Sequence, residues 1–264
     1  MTSKTLQIGR LIVFANFALS SVGWATCSNA SLSGTYGFLH SGIGPSGTPT
    51  TGVSSITFDS TKGTYKGEDI ASHNGVIDTG FLTATYAVAS NCTVEATASL
   101  SGSPPLELAF LLTSNGFLYV TQTTGVIAHG YGVKRGSPIC TNSGVEGRFG
   151  LETTGVFLAG APAIGPVAFI GELKLLINPS NPSGEGMISG QLAGTENGTI
   201  LMFAKEPVTG SYTIGTDCRG RATIKPKWRS AMHFSLLVVD GGKELLAIET
   251  DANTVVSGTM VKAM

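Results

Sequence analysis

The chain has 264 residues, 42% of them apolar and only 12% charged, with a formal net charge of -1. That balance supplies ample material for a buried core and, with no basic cluster, leaves no electrostatic footprint for nucleic acid or an anionic membrane surface. The 36 glycines suit an all-β chain rich in tight turns, and no long amphipathic helical pattern is present.

In chain order, residues 1–25 read as a cleavable export signal. Lys4 and Arg10 lie near its start, an apolar run spans Leu11 to Val22, and Gly23-Trp24-Ala25 offers small residues at a cleavage site. The run is well short of the roughly 20 residues that span a bilayer, so no transmembrane segment is expected in the mature chain. Cys27 lies just past the run, but Gly23-Trp24-Ala25-Thr26 lacks the Leu-led pattern of a lipid-attachment box. A secreted or periplasmic protein beginning near Thr26 is the expectation.

After the signal the sequence occurs twice. Cys27-x-Asn29-x-x-Leu32-x-Gly34-x-Tyr36-Gly37 returns 113 residues later as Cys140-x-Asn142-x-x-Val145-x-Gly147-x-Phe149-Gly150. Tyr86, Cys92, Ala96 and Thr97 match Tyr212, Cys218, Ala222 and Thr223, and Gly130 to Lys134 matches Gly258 to Lys262. This divides the mature chain into a first module at 26–135, a linker at 136–139 and a second module at 140–264. All four cysteines fall at equivalent places, so duplication favours Cys27 with Cys92 and Cys140 with Cys218 among the three possible pairings. Each such bridge is worth about 4 kcal/mol in the chain-entropy model. Zinc is not expected, because no C-x-x-C spacing occurs and no His lies near a Cys.

Asn74-Gly75, Asn115-Gly116, Asn197-Gly198 and Asp240-Gly241 are hairpin-turn dipeptides. Cutting at such turns leaves extended segments near 32–42, 52–59, 63–72, 76–89, 92–100, 106–113, 117–123 and 126–134 in the first module. In the second they fall near 145–158, 165–177, 184–194, 198–214, 219–225, 229–239, 243–250 and 254–262. Many alternate: Leu82, Ala84, Tyr86 and Val88 share one face, as do Ile127, His129, Tyr131 and Val133. A meander of this kind leaves two unpaired edges unless its last strand returns to its first. The expected fold is therefore all-β, two tandem eight-stranded antiparallel up-and-down barrels, a size whose interior holds side chains or one small ligand.

Gly34-Thr35-Tyr36 and Gly147-Arg148-Phe149, with Lys134 and Lys262 late in the last strands, resemble the calycin arrangement of lipocalins. That resemblance implies a basic side chain covering the first-strand aromatic, here Tyr or Phe in place of Trp. The module, with a single Cys before a Thr/Ala-rich strand and a late Asp-Gly-Gly hairpin, also resembles secreted bacterial proteins and the related allene-oxide-cyclase or dirigent type of barrel. What this implies is a fold and a ligand cavity; it carries no catalytic residue across.

Candidate chemistry is sparse. His40, His73, His129 and His233 stand apart in the sequence, with no spacing that puts two on one face for a metal. His129 shares its strand face with Tyr131, and a His-Tyr pair inside a barrel could move a proton, although a satisfied or solvent-facing histidine is the plainer expectation. Glu68 and Asp69 point to opposite faces as strand neighbours, so they are not a dyad and read as solvated. Glu249, matched to Gln122 in the first module, shares a face with Asp251. On an internal face it would be a desolvated carboxylate and a general base, yet an unpaired Glu is rarely buried and exposure is expected. Trp228 among Lys225, Lys227 and Arg229 offers a cation-π spot, with a solvated strand end as the plainer reading. No phosphate-binding loop, nucleophile elbow or cofactor fingerprint occurs in the right context, so no cofactor is called for. These residues point to a non-catalytic module that binds a small apolar ligand or an extracellular partner. A cyclase or isomerase using polar groups inside one barrel, and a structural or adhesive surface protein, are the alternatives.

Overall fold

The computed structural model describes residues 26–44, 46–100, 105–121, 126–137, 139–161, 164–180 and 184–264. The expected signal at 1–25 lies outside them, as does Gln122. Among the described residues no helix is long and apolar enough to cross a membrane.

Strands β1 (Gly34–Ile43), β2 (Pro49–Asp59), β3 (Thr64–His73), β4 (Val76–Val88), β5 (Thr93–Leu100), β6 (Leu106–Leu112), β7 (Gly116–Thr121) and β8 (Ile127–Lys134) form one closed antiparallel barrel in sequence order. A second is formed by β9 (Gly147–Phe157), β10 (Gly165–Leu176), β11 (Gly186–Glu196), β12 (Thr199–Ile214), β13 (Arg219–Pro226), β14 (Met232–Val239), β15 (Glu244–Glu249) and β16 (Thr254–Lys262). Closure runs from Tyr36↔Lys134 to Ile43↔Ile127 in the first and from Phe149↔Lys262 to Phe157↔Thr254 in the second. Neither sheet keeps a free edge, which removes the template for edge-to-edge aggregation. The two barrels agree with the fold that the alternating pattern implies.

Asn74, Gly75, Asn197 and Gly198 all have positive φ, at 52°, 79°, 47° and 75°, the turn geometry whose twist matches the flanking strands. Asn115-Gly116 differs from the expectation. Gly116 opens β7, and a Cβ there would collide with the Gly132 carbonyl oxygen, so close strand approach rather than turn conformation requires the glycine.

The repeated Cys-x-Asn motif is architectural. Each copy forms a short 3-10 turn, Asn29–Ser31 or Asn142–Val145, that sets Leu32 or Val145 into the core of its barrel. The Asn29 side chain accepts the Val88 N–H at 2.9 Å and the Asn142 side chain accepts the Ile214 N–H at 2.8 Å. The Tyr86 and Tyr212 hydroxyls donate to the carbonyls of Leu32 and Asn142. Disulfides Cys27–Cys92 and Cys140–Cys218, with Cα atoms 5.0 and 4.7 Å apart, tie the same corner of each barrel. Lys134 Nζ lies 5.9 Å from the Tyr36 ring centroid and Lys262 Nζ 5.8 Å from that of Phe149. Each lysine thus approaches the aromatic ring of its own barrel's first strand.

The barrels abut along β1–β3 and β14–β16. Val53, Leu237, Val239, Leu246 and Ile248 make a shared apolar core, flanked by Leu39, Ile70, Tyr131 and Val133. Gly37 sits where the two sheets come closest, since a Cβ there would collide with the Val239 side chain. Thr51 Oγ1 donates to Ser257 Oγ at 2.7 Å, Ser72 Oγ donates to the Thr254 carbonyl at 2.6 Å, and Arg219 pairs with Glu68 at 2.8 Å. Packing on its outer side leaves β15 buried on both faces from Leu245 to Glu249.

Candidate functional site: a cavity at one end of the first barrel

Inward-facing residues of the first barrel change character along its axis. Toward the disulfide, Tyr36, Phe58, Tyr86 and Phe117 pack ring against ring at centroid distances of 5.3 to 5.8 Å. Toward the other end, a cavity of about 220 Å³ opens among Phe38, His40, Ser54, Tyr65, Asp69, Leu82, Leu108 and Tyr119, with Thr50, His73 and Asp78 at its polar side. The space exists because small residues occupy inward positions, Ala71, Gly80, Ala98 and Ala128 among them. Gly52 has a different task. A Cβ there would collide with the His40 imidazole, which lies over its Cα in the paired strand.

Three strands converge on Asp69. His40 Nε2 on β1 is 3.1 Å from Asp69 Oδ1, and Ser54 on β2 donates its hydroxyl proton to the same oxygen at 2.6 Å. Thr50 Oγ1 is 2.8 Å from His73 Nδ1 nearby. Burial raises the Asp69 carboxyl, but the His40 charge and the hydrogen bonds from His40 and Ser54 outweigh it and hold the group below the usual carboxylate range. Burial pushes the Tyr119 phenol well above its ordinary value, so it remains a neutral donor. The His–Asp pair can hold or move a proton. Ser54, however, directs its proton to the carboxylate and not to the imidazole, which is not the arrangement that activates a serine nucleophile. Chemically the site offers an ionised carboxylate, two imidazoles and several hydroxyls against aromatic and aliphatic walls.

Among the described residues the second barrel shows no counterpart, and sheet register shows why. His40 and Gly52 face each other as Thr153 and Phe169 do, and the Phe38↔Ser54↔Asp69 row corresponds to Leu151↔Gly171↔Leu192. Ala98, paired with Leu106, corresponds to Ile224, paired with Met232; Ala128, opposite Gly42, corresponds to Val256, opposite Gly155. Phe169, Ile224 and Val256 are all buried in the second core. Large side chains fill the space that glycine and alanine leave open in the first barrel.

Glu249 lies at this filled end, and its expected exposure is corrected: it is fully buried. Its partner is Arg229, whose side chain is 3.6 Å from Glu249 and 3.2 Å from Glu196. The guanidinium also lies 4.6 Å from the Phe157 ring centroid, 5.7 Å from Phe169 and 5.8 Å from Trp228. The cation-π reading of Trp228 therefore holds through Arg229 in the barrel interior, whereas Lys225 and Lys227 are exposed. Burial pushes the Glu249 carboxyl up to about 8, and the Arg229 charge offsets only part of this. Asp251 lies beyond β15 and pairs with His233 at 2.7 Å. Register also matches Glu249 to Thr121, since Phe234 faces Glu249 as Leu108 faces Thr121; the match to Gln122 is one residue out.

Two further expectations change. His129 is exposed on the outside of the first barrel, because its face with Tyr131 and Val133 turns toward the second barrel and the Tyr131 hydroxyl donates to Glu244 at 3.2 Å. The His129–Tyr131 pair therefore does not lie inside the barrel. Glu68 and Asp69 do point to opposite faces, but only Glu68 is on the surface; Asp69 is in the cavity with 14% of its side chain exposed. Sequence reasoning missed His40 and Asp69, although His40 has the parity of inward Tyr36 and Phe38. Outside the barrel, Leu111, Leu118, Val120 and Ile127 are exposed on β6–β8, with Ile43 beside Ile127. The chain matches no family model, and no curated protein or solved structure is significantly similar to it.

Proposed function

We propose that this is an exported, disulfide-stapled binding protein in which the first barrel holds one small molecule and the second is a packed structural partner. The observation that carries this is the cavity itself, a polar cluster of His40, Ser54 and Asp69 facing Phe38, Leu82 and Leu108, present in one barrel and filled in its duplicate. A volume of about 220 Å³ exceeds the ~150 Å³ apolar cavity known to hold benzene, so a ligand of one ring or a short chain fits. The mixed lining favours an amphipathic ligand over a purely apolar one. Two disulfides support export, and the Lys134 and Lys262 contacts support reading both modules as calycin-like.

The exposed apolar residues of β6–β8 are what an interaction module would use, but they form an open strip beside exposed His129 and not an enclosed site. An acid–base enzyme built on His129 and Glu249 has no shared cavity to work in, because one lies outside the first barrel and the other inside the second. Methyl NMR during titration with small amphipathic probes tests the binding reading. Shifts are expected at Ala98, Ala128, Leu82 and Leu108, with Ile224 and Val256 unmoved; saturable shifts confined to the second barrel, or none anywhere, would overturn it.

A further inference from the structure

The charge pattern of the cavity identifies the class of molecule it takes, given the binding reading above. Both acidic side chains on its wall, Asp69 and Asp78, are carboxylates without a lysine or arginine among the described lining residues. A phosphate or carboxylate ligand would meet two carboxylates there, and for positive charge only the His40 and His73 imidazoles, of which His40 is already paired with Asp69. Asp69 is also half used: His40 and Ser54 both contact Oδ1, and Oδ2 receives no hydrogen bond among the described residues. Oδ2 is thus an open acceptor on the cavity wall, and an N–H donor carrying positive charge is the partner a carboxylate binds most strongly.

The walls favour the same choice. Phe38 and Tyr119 stack at 4.3 Å, and Tyr65 lines the cavity with them, so aromatic rings, which attract cations, share the wall with the carboxylate. Leu82, Leu108 and Ala98 supply an apolar region at the same level of the barrel. We propose that the ligand is a small organic ammonium ion bearing an apolar group of about one aromatic ring, with its ammonium on Asp69 Oδ2 and its apolar part against Leu82 and Leu108. Asp69 fixes the charge preference, and the small residues at Ala98 and Ala128 fix the size limit.

Calorimetric titration of the intact exported protein with 2-phenylethylamine, 2-phenylethanol and 3-phenylpropanoate tests this without any substitution. The three share a ring and chain and differ in the charge at the end. The amine is expected to bind at least about tenfold more tightly than the alcohol, the size of effect one charge-assisted hydrogen bond gives, and the carboxylate not at all. Asp69→Asn should remove most of the amine's advantage over the alcohol, read as the ratio of the two affinities in the variant against the same ratio in the native protein. Equal binding of amine and alcohol, or tightest binding of the carboxylate, overturns the ammonium assignment and leaves the cavity reading standing. Failure of all three to bind overturns both.

Discussion

Replacing Ala98 by the isoleucine that occupies the equivalent position of the second barrel is expected to abolish ligand binding while leaving the protein folded. Ala98 is 3% exposed and points into the cavity between β4 and β6, and Ile224 shows that the same barrel geometry accepts the larger side chain. The added carbons contribute burial at about 0.8 kcal/mol each, against an overpacking cost of ~1–3 kcal/mol, so the two nearly cancel and the melting temperature should move by only a few degrees. Affinity should fall by well over tenfold, because the side chain stands where the ligand's apolar group would lie. Adding Ala128→Val, the second residue of the filled barrel, should remove whatever binding remains. Calorimetric titration alongside thermal melts reads both quantities. Unchanged affinity in the double variant would place the ligand elsewhere.

Stability is expected to fall as pH rises from about 4.5 to about 8, with Glu249 as the principal cause. The carboxyl titrates near 4.5 in the unfolded chain and near 8 in the folded one, so between these values the native state holds a proton that the unfolded state has released. Linkage then fixes the sign: the contribution is fully present below pH 4.5, declines through the window, and is gone once pH exceeds the folded value. Its size is on the order of 5 kcal/mol, the free energy of moving a carboxyl titration that far. Glu249→Gln keeps the shape without the titration. Urea unfolding at a series of pH values should give a steep decline for the native protein and a much flatter line for the variant, which should be the more stable of the two at pH 8. Parallel lines would mean that Arg229 keeps Glu249 ionised throughout.

The strands were legible because most of them expose one face. β4 alternates cleanly from Leu82 to Tyr86, and its inward residues are the ones the pattern implies. Legibility ended where the outer face is also buried. On β15 both faces are covered, one by the barrel core and one by the neighbouring barrel, so nothing in Glu244 to Glu249 tells inside from outside and Glu249 is misplaced. The His129 face failed for the same reason: Tyr131 and Val133 are apolar because they meet the second barrel, not because they face inward. The expectation of exposure rested on the rarity of buried unpaired Glu, and Arg229 supplies the partner that the sequence did not reveal. The site was invisible for a different reason. His40, Ser54 and Asp69 lie on three strands, with His40 and Asp69 29 residues apart, and only the register of β1–β2–β3 brings them together. That cavity-forming alanines face larger residues in the duplicate becomes readable once the two registers are laid side by side.

The most direct test of a hollow first barrel beside a filled second one is native mass spectrometry of the protein purified from the cells that naturally make it, with the Ala98→Ile variant prepared in parallel. The prediction is a single small-molecule adduct per chain on the native protein and none on the variant. A bare native chain, two adducts per chain, or an adduct that survives the substitution would contradict it.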